Sequence, residues 1–420
     1  MKKRWRFNLP TVSLIVIMLC LGWTSGATAQ DTAAAQAGTR IELLEAKQKE
    51  KARSLKPAEP GRAEQAVNKY VGENPMSKCL GGIPGLRLRF GGMPSGAGFG
   101  VGPEYFRPDL AKGNVYFRTS AIGSKKLWYL IDSELRFPYL ARRFLNLGIA
   151  GRRVDANSLD FYGLGPESQK TGRSNYRREE NSFEFSLAFR PTRRYLSFGF
   201  STGYAWLNVG PGQSDVFISA EKQYSPPVAP GIDRQTNYLR IGPFVEFDSR
   251  DKPKDPHSGT HFLAKYNQFT ARKIDGYSFE QFDGFLEQYI PFLNQKRVIA
   301  LRARTVLSYP YAGHVIPFYM LPTLGGTSDL RGYRRYRFYD NNLFLVNAEY
   351  RWEIFTLMDA ALFADAGKVF HKDSDFDLQN LESDVGFGFR FKTRRAVVFR
   401  IDTAFSHEGF GLWLTFDHVF

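Results

Sequence analysis

In VGFGFRFK (Val385–Lys392), every second residue is large and apolar: Val385, Phe387, Phe389 and Phe391. The residues between them are Gly386, Gly388, Arg390 and Lys392. Successive side chains of a β-strand point to opposite faces. This strand therefore has one aromatic face and one face of glycine and cations. A soluble sandwich also alternates, but its apolar side is rarely so uniformly aromatic over many strands. A strand with lipid on one side and a polar lumen on the other has this pattern.

The same alternation runs outward from that stretch. AVVFRIDTAF (Ala396–Phe405) sets Val397, Phe399, Ile401 and Phe405 opposite Arg400 and Asp402. FEFSLAFR (Phe183–Arg190) aligns Phe183, Phe185, Leu187 and Phe189, and LSFGFSTGYAWL (Leu196–Leu207) aligns Leu196, Phe198, Phe200, Tyr204 and Trp206. Each stretch is roughly the 9–11 residues that cross a bilayer as a tilted strand. The pattern places strands at 84–91, 98–107, 112–121, 126–137, 144–154, 176–190, 194–206, 235–248, 259–270, 277–290, 296–308, 341–354, 357–370, 383–393, 396–406 and 411–420. That makes about 16, an even number as single-chain bacterial barrels require. The fold class read from the sequence is all-β: a transmembrane antiparallel β-barrel with a short helical N-terminal extension. The longest connections, 207–234 and 309–340, are expected outside the cell, with the short turns on the periplasmic side.

The composition agrees. Of 420 residues, 15% are aromatic and 39 are glycine, which favours strands over helices. The formal charge of +15 permits anionic lipid, nucleic acid or acidic protein as partners and selects none of them. Residues 1–29 have the layout of a secretory signal peptide: Lys2, Lys3, Arg4 and Arg6, an apolar run Leu14–Leu21, then Ala27-Thr28-Ala29. Cleavage there leaves Cys79 as the one cysteine, so no intrachain disulfide is expected. Residues 30–81 read as a charged helical or linker extension on the periplasmic side, and 82–420 as the barrel. No stretch after the signal is apolar enough for a membrane helix. The last stretch, FGLWLTFDHVF (Phe410–Phe420), alternates and ends on an aromatic. Phe416 and Phe420 there are similar to a C-terminal signal read by the barrel-assembly machinery.

Four segments, in order, carry a family resemblance. They are DFYGLGPES (Asp160–Ser168), EFDSRDKPKDPHSGTHF (Glu246–Phe262), LGGTSDLRGYRRY (Leu324–Tyr336) and ALFADAGKVF (Ala361–Phe370). Together they resemble the BamA/TamA-type barrels, the bacterial surface antigen family, over about residues 82–420. The matching residues are Asp248, Arg250, Asp251, Pro256 and Gly259 in the hairpin. In the loop they are Gly325, Gly326, Leu330, Arg331, Gly332 and Tyr333, and in the strand Phe363, Asp365 and Gly367. The resemblance implies a long sixth outer loop folded back into the lumen, with its arginine paired to acidic residues of the inner wall. It departs from the family in one respect: residues 30–81 are too short for a POTRA module and show no strands. The chain therefore resembles a barrel-only member, and insertase or secretion activity does not carry over with the resemblance.

Counting residues tests whether the loop arginine could be paired. In NLFLVNAEYRWEI (Asn342–Ile354), Phe344, Val346, Tyr350, Trp352 and Ile354 share one face, and Glu349 lies on the other with Asn347, Arg351 and Glu353. In the next strand Leu362, Ala364 and Ala366 share a face opposite Asp365. Both carboxylates thus point into the lumen on adjacent strands. An arginine fork can accept two carboxylates, so Arg331 is expected to bridge Glu349 and Asp365. Arg335 and Arg337 are read as solvated loop charges.

The sequence assigns no catalytic residue, no cofactor and no metal. It has no Gly-x-Ser-x-Gly elbow. His257 and His261 lie in a Pro/Gly turn rather than on a helix, which argues against a zinc pair. In GAGFGVG the glycines at 96, 98, 100 and 102 alternate as on a small-residue strand face, unlike a phosphate loop. An exported chain without further recognition motifs is not expected to bind nucleic acid. Expected partners are outer-membrane lipids, lipopolysaccharide at exposed arginines, and the assembly machinery during insertion. The functional expectation is outer-membrane biogenesis or transport of protein or lipid, with a passive solute pore as the alternative.

Overall fold

The computed structural model describes Lys47, Glu50 and residues 85–416, apart from 95, 193, 294, 295, 356 and 393–396. The expected signal peptide, nearly all of the 30–81 extension, and Phe420 lie outside the described residues. The chain divides into two compact units, Pro60–Pro291 with Arg297–Phe420, and Met1–Glu59 with Phe292–Lys296. In the second, Lys47 and Glu50 are helical.

The larger unit carries the sheet. Its strands are β1 (Leu86–Phe90), β2 (Gly100–Asp109), β3 (Val115–Ser124), β4 (Tyr129–Tyr139), β5 (Leu145–Phe161), β6 (Ser174–Phe189), β7 (Leu196–Pro211), β8 (Tyr238–Asp248), β9 (Gly259–Ala271), β10 (Phe279–Phe292) and β11 (Arg297–Pro310). Two short strands, β12 (Thr323–Leu324) and β13 (Phe338–Tyr339), pair with each other inside the loop that follows β11. The sheet resumes with β14 (Asn342–Phe355), β15 (Met358–Phe370), β16 (Glu382–Lys392), β17 (Val397–Ser406) and β18 (Gly409–Thr415). Sixteen strands form one sheet in strict chain order, from β1 to β11 and then β14 to β18. At its two ends, the Phe416 ring lies 6.3 Å from Phe90 and 5.0 Å from Phe99.

The two faces follow the alternation. On β16 Val385 is 60% exposed, whereas Arg390 is 3% exposed. Phe183, Phe198, Trp206, Leu362 and Phe405 also stand on the outer face, and Arg400 and Asp402 are fully enclosed. Apolar side chains gain nothing from the outer face in water. In a bilayer they meet hydrocarbon, and the inner face takes the charges.

Three details differ from the sequence reading. β5 and β7 run further than expected, to Phe161 and Pro211. Gly96 and Gly98 are not on a strand face: β2 begins at Gly100, and both glycines turn with positive φ just before it. The inner face is also not polar throughout. Leu343, Leu345 and Val369 point inward and are buried against Leu324, Leu330, Tyr333 and Phe338 of the loop after β11. A second apolar cluster joins Phe161, Tyr176 and Tyr238 of the wall to Phe318 and Tyr339 of that loop. The wall is apolar where the loop's own apolar side chains lie against it, and polar where the loop presents Arg331 and its backbone carbonyls.

The longest connections, 162–173, 212–237 and 311–341, follow odd-numbered strands and so share one end. The 311–341 connection is the sixth at that end. The hairpin 249–258 lies at the opposite end.

Candidate lumen lock

The 325–341 segment is pinned from both sides before its arginine is placed. β12 and β13 close its base, with Arg337 N–H donating to the Leu324 carbonyl at 2.9 Å. Leu330 and Tyr333 anchor in the apolar cluster of the inner wall, and Arg331 lies between them.

A buried loop must find partners for its backbone carbonyls, and here the barrel wall supplies them. Arg400 donates to Thr327 O at 2.7 Å, Arg302 to Ser328 O at 3.2 Å and Asn347 to Asp329 O at 2.9 Å. Trp413 Nε1 donates to Arg331 O at 2.6 Å, and Ser406 Oγ to Gly332 O at 2.9 Å.

The Arg331 guanidinium is completely enclosed. Nε and Nη2 donate to the two oxygens of Asp365 at 2.7 and 2.9 Å, and Nη1 donates to Glu349 at 2.7 Å. Its carbon sits 3.3 Å from the centre of the Phe363 ring, a cation–π stack. Burial alone would favour the neutral arginine, but the Asp365 and Glu349 carboxylates outweigh it and hold the charge more firmly than usual.

The two carboxylates are not equivalent. Asp365 has Arg331 and one further donor, Asn347 Nδ2 at 2.8 Å. Glu349 also accepts from Arg351 at 2.8 Å and from Arg390 at 2.9 and 3.2 Å. Arg390 reaches it from β16, across β15. The inner positions in between are small: Ala361 on β15, Gly386 and Gly388 on β16. A Cβ on Gly386 would stand 2.3 Å from the Phe363 ring, and one on Gly388 would stand 2.6 Å from an Arg390 nitrogen. The glycines of VGFGFRFK therefore make room for the ring that carries Arg331 and for the arginine that supports Glu349.

Gly332 is needed for a similar reason. A Cβ there would lie 2.5 Å from Asp384 Cβ and 2.9 Å from Ser406 Cβ. Gly367 lies inward beside Leu324 of the loop, two residues from Asp365. Tyr333 Oη donates to Glu382 at 2.6 Å and meets His407 Nδ1 at 3.1 Å.

Arg337 is not the solvated charge that the sequence suggested. It is 3% exposed and donates to Glu408 at 2.9 Å and to the Ser168 carbonyl at 2.6 Å. Arg335 is partly covered, with its guanidinium 4.7 Å from the Trp413 ring centre. Arg334 is exposed. The Asp160–Ser168 segment thus meets the sixth loop just past its resembling stretch: Tyr339 Oη donates to Asp160 O at 2.7 Å, and Gly165 N–H to Tyr339 O at 2.8 Å.

The hairpin motif lies at the other end of the barrel. Arg250 clamps Asp248 with two bonds of 2.9 Å and reaches Glu287 at 3.4 Å. Asp251 accepts the backbone N–H of His257 at 2.9 Å and of Ser258 at 3.2 Å. Pro256 sits within the turn, and Gly259 opens β9 with a φ of 107°. His261 is not in the turn; it faces inward from β9, between Glu246 at 3.2 Å and Glu287 at 3.4 Å. Glu246, Asp248 and His261 lie close enough to share a cation, as do Asp255, His257 and Asp359. In the first set Arg250 already occupies Asp248, and in the second Lys392 pairs with Asp359 at 2.6 Å.

Sequence reasoning missed Phe363 as a stacking surface, and Asn347, Arg390, Trp413 and Glu408 as partners. Their parity was visible, since Asn347 and Arg390 fall on inward faces. Their partners depend on curvature and stagger between strands, which no local pattern carries.

The geometry can be set beside known proteins. A family model described as the Omp85 superfamily domain matches residues 114–408. Among solved structures, BamA from Haemophilus ducreyi lacking POTRA domains 1–3 is similar, with a TM-score of 0.58 at 15% identity, over 79% of this chain and 69% of that one. CdiB from Escherichia coli is similar with a TM-score of 0.52 at 13% identity, over 80% of this chain and 61% of CdiB. The chain thus spans less than two thirds of CdiB. At these identities the likeness concerns the fold. No curated protein sequence matches the chain. With the family model covering most of the barrel, the chain belongs to the Omp85 superfamily of outer-membrane β-barrels.

Proposed function

We propose that this protein works in outer-membrane biogenesis, or in transport of protein or lipid into or across that membrane, with its sixth loop locked inside the barrel through Arg331. The observation that carries this reading is the enclosed Arg331 fork on Asp365 and Glu349. A solute pore needs a clear lumen, whereas this loop brings its own apolar core and five capped carbonyls into the barrel. A lock of this kind serves a barrel whose wall or loop rearranges rather than one that only conducts. In the same reading, Phe416 with Phe420 forms the signal for the assembly machinery, and the Asp248–Gly259 hairpin fixes the periplasmic rim. Arg334 is the member of the arginine cluster left to meet lipopolysaccharide.

Two measurements test the reading. Purified protein in a planar bilayer should give at most small, intermittent currents; a large steady conductance would favour the passive pore. Deletion in the source bacterium should lower the level of other outer-membrane proteins or disturb lipid asymmetry. Normal levels of both, with lost uptake of a small solute, would sink the biogenesis reading.

A further inference from the structure

The lock does more than hold a loop. Besides its bonds to β11, β14 and β15, the loop is bonded to β17 and β18, the last hairpin of the sheet and the one that contains its final edge. Trp413 on β18 gives its indole N–H to the Arg331 carbonyl at 2.6 Å. Ser406, the last residue of β17, donates to the next carbonyl, Gly332, at 2.9 Å. In the turn between the strands, His407 meets Tyr333 at 3.1 Å, and Glu408 accepts from Arg337 at 2.9 Å. The Glu408 carbonyl is also held by Lys170, from the loop after β5. Arg335 lies over the Trp413 ring. Gly411 lets the loop come this close, because a Cβ there would be 2.8 Å from the Arg331 carbonyl oxygen.

Among the described residues, β18 is otherwise held by its pairing with β17 and by the Phe416 ring that follows it. It spans seven residues, paired with β17 from Arg400–Thr415 to Ser406–Gly409. Its outer side chains Phe410, Leu412 and Leu414 are among the most exposed apolar groups of the chain. On its inner side, the loop is what covers it.

We propose that Trp413 and Glu408 are positioning residues that tie the seated sixth loop to the last hairpin, so that loop seating and order in β18 are one coupled equilibrium. The statement rests on the lumen-lock geometry, not on any particular cargo. Coupling between two elements is reciprocal. Loosening the hairpin must loosen the loop, and unlocking the loop must loosen the hairpin.

Both directions can be measured on purified full-length protein in detergent, with heat-modifiable gel mobility as the check on folding. Arg334 is exposed and offers trypsin a site within the loop. Trp413→Phe keeps a ring beneath Arg335 and removes the N–H. Glu408→Gln removes a charge in a two-residue turn, where the barrel fold is retained in either case. Each should raise the initial rate of cleavage after Arg334 by about fivefold to tenfold, the effect of losing one net hydrogen bond. In the opposite direction, Arg331→Ala should speed amide hydrogen exchange in residues 409–415 and leave β7 unchanged. Cleavage at the wild-type rate in both hairpin variants would overturn the proposal. So would unchanged exchange in β18 with a freely cleaved loop, which would leave Arg331 a lock on the loop alone. Large conductance in a bilayer would count against the proposed function without touching this coupling.

Discussion

Replacing Arg331 by alanine strands one carboxylate, not two. Glu349 keeps Arg351 and Arg390, both within 2.9 Å. Asp365 keeps the Asn347 amide at 2.8 Å and lies beside the Asp384 carboxyl of β16. Removing one member of a buried ion pair costs about 3–5 kcal/mol, mostly because the other charge is left uncompensated. The loss in Arg331→Ala should therefore reside at Asp365 and be recoverable there. Adding Asp365→Asn neutralises the stranded group and should leave a deficit of about 1–2 kcal/mol, the size of the missing hydrogen bonds. Adding Glu349→Gln should recover nothing, since it leaves Arg351 and Arg390 facing a neutral amide. The assay is the urea midpoint for conversion of the folded to the unfolded gel band, read with loop cleavage in the same samples. Equal recovery by the two second-site changes would refute the argument. A cost for Arg331→Ala of less than about 1 kcal/mol would also refute it, because so small a loss belongs to a surface pair.

Gly332→Ala should unseat the loop by forcing Asp384 and Ser406 apart, at about 1–3 kcal/mol as for other overpacked sites, and trypsin cleavage after Arg334 reads it directly. Arg337→Ala should free both Glu408 and the Ser168 carbonyl, so protease sensitivity should rise in 162–173 as well as in the sixth loop; a rise confined to one loop would contradict the docking described above. The hairpin 249–258 should loosen in acid. Partial burial pushes the Asp251 carboxyl up, but the backbone N–H groups of His257 and Ser258 outweigh it and leave it below its usual value. A lowered carboxylate stabilises the fold above the unfolded value of about 3.9 and loses that contribution as pH falls through the folded value. Amide exchange in the hairpin should therefore depart from its intrinsic pH dependence below about pH 4, and Asp251→Asn should abolish that departure.

The phase of each strand was legible in the sequence because lipid and lumen impose opposite demands on neighbouring residues. Counting by twos was enough to put Glu349 and Asp365 on inward faces of adjacent strands. The same counting put Arg390, Arg400 and Asp402 inward, without saying whom they meet. Arg335 and Arg337 were misread because a basic, aromatic loop looks solvated when its surroundings are unknown. In the structure Arg337 has Glu408 from one hairpin and Ser168 from a loop 169 residues away in the chain.

The sequence by itself determined the strands, their two faces and the sixth loop as the unusual connection. These are local consequences of side-chain alternation and of the membrane as solvent. Tertiary structure alone decided that Glu349 has three arginines and Asp365 essentially one, and that the inner wall is apolar where Leu330, Tyr333 and Phe338 of the loop lie against it. It also decided that Trp413 holds the arginine by its backbone. Those contacts depend on how far each strand is staggered against the next and on which small residues let a side chain cross its neighbour. Stagger is fixed only when the sheet curves around the loop it contains.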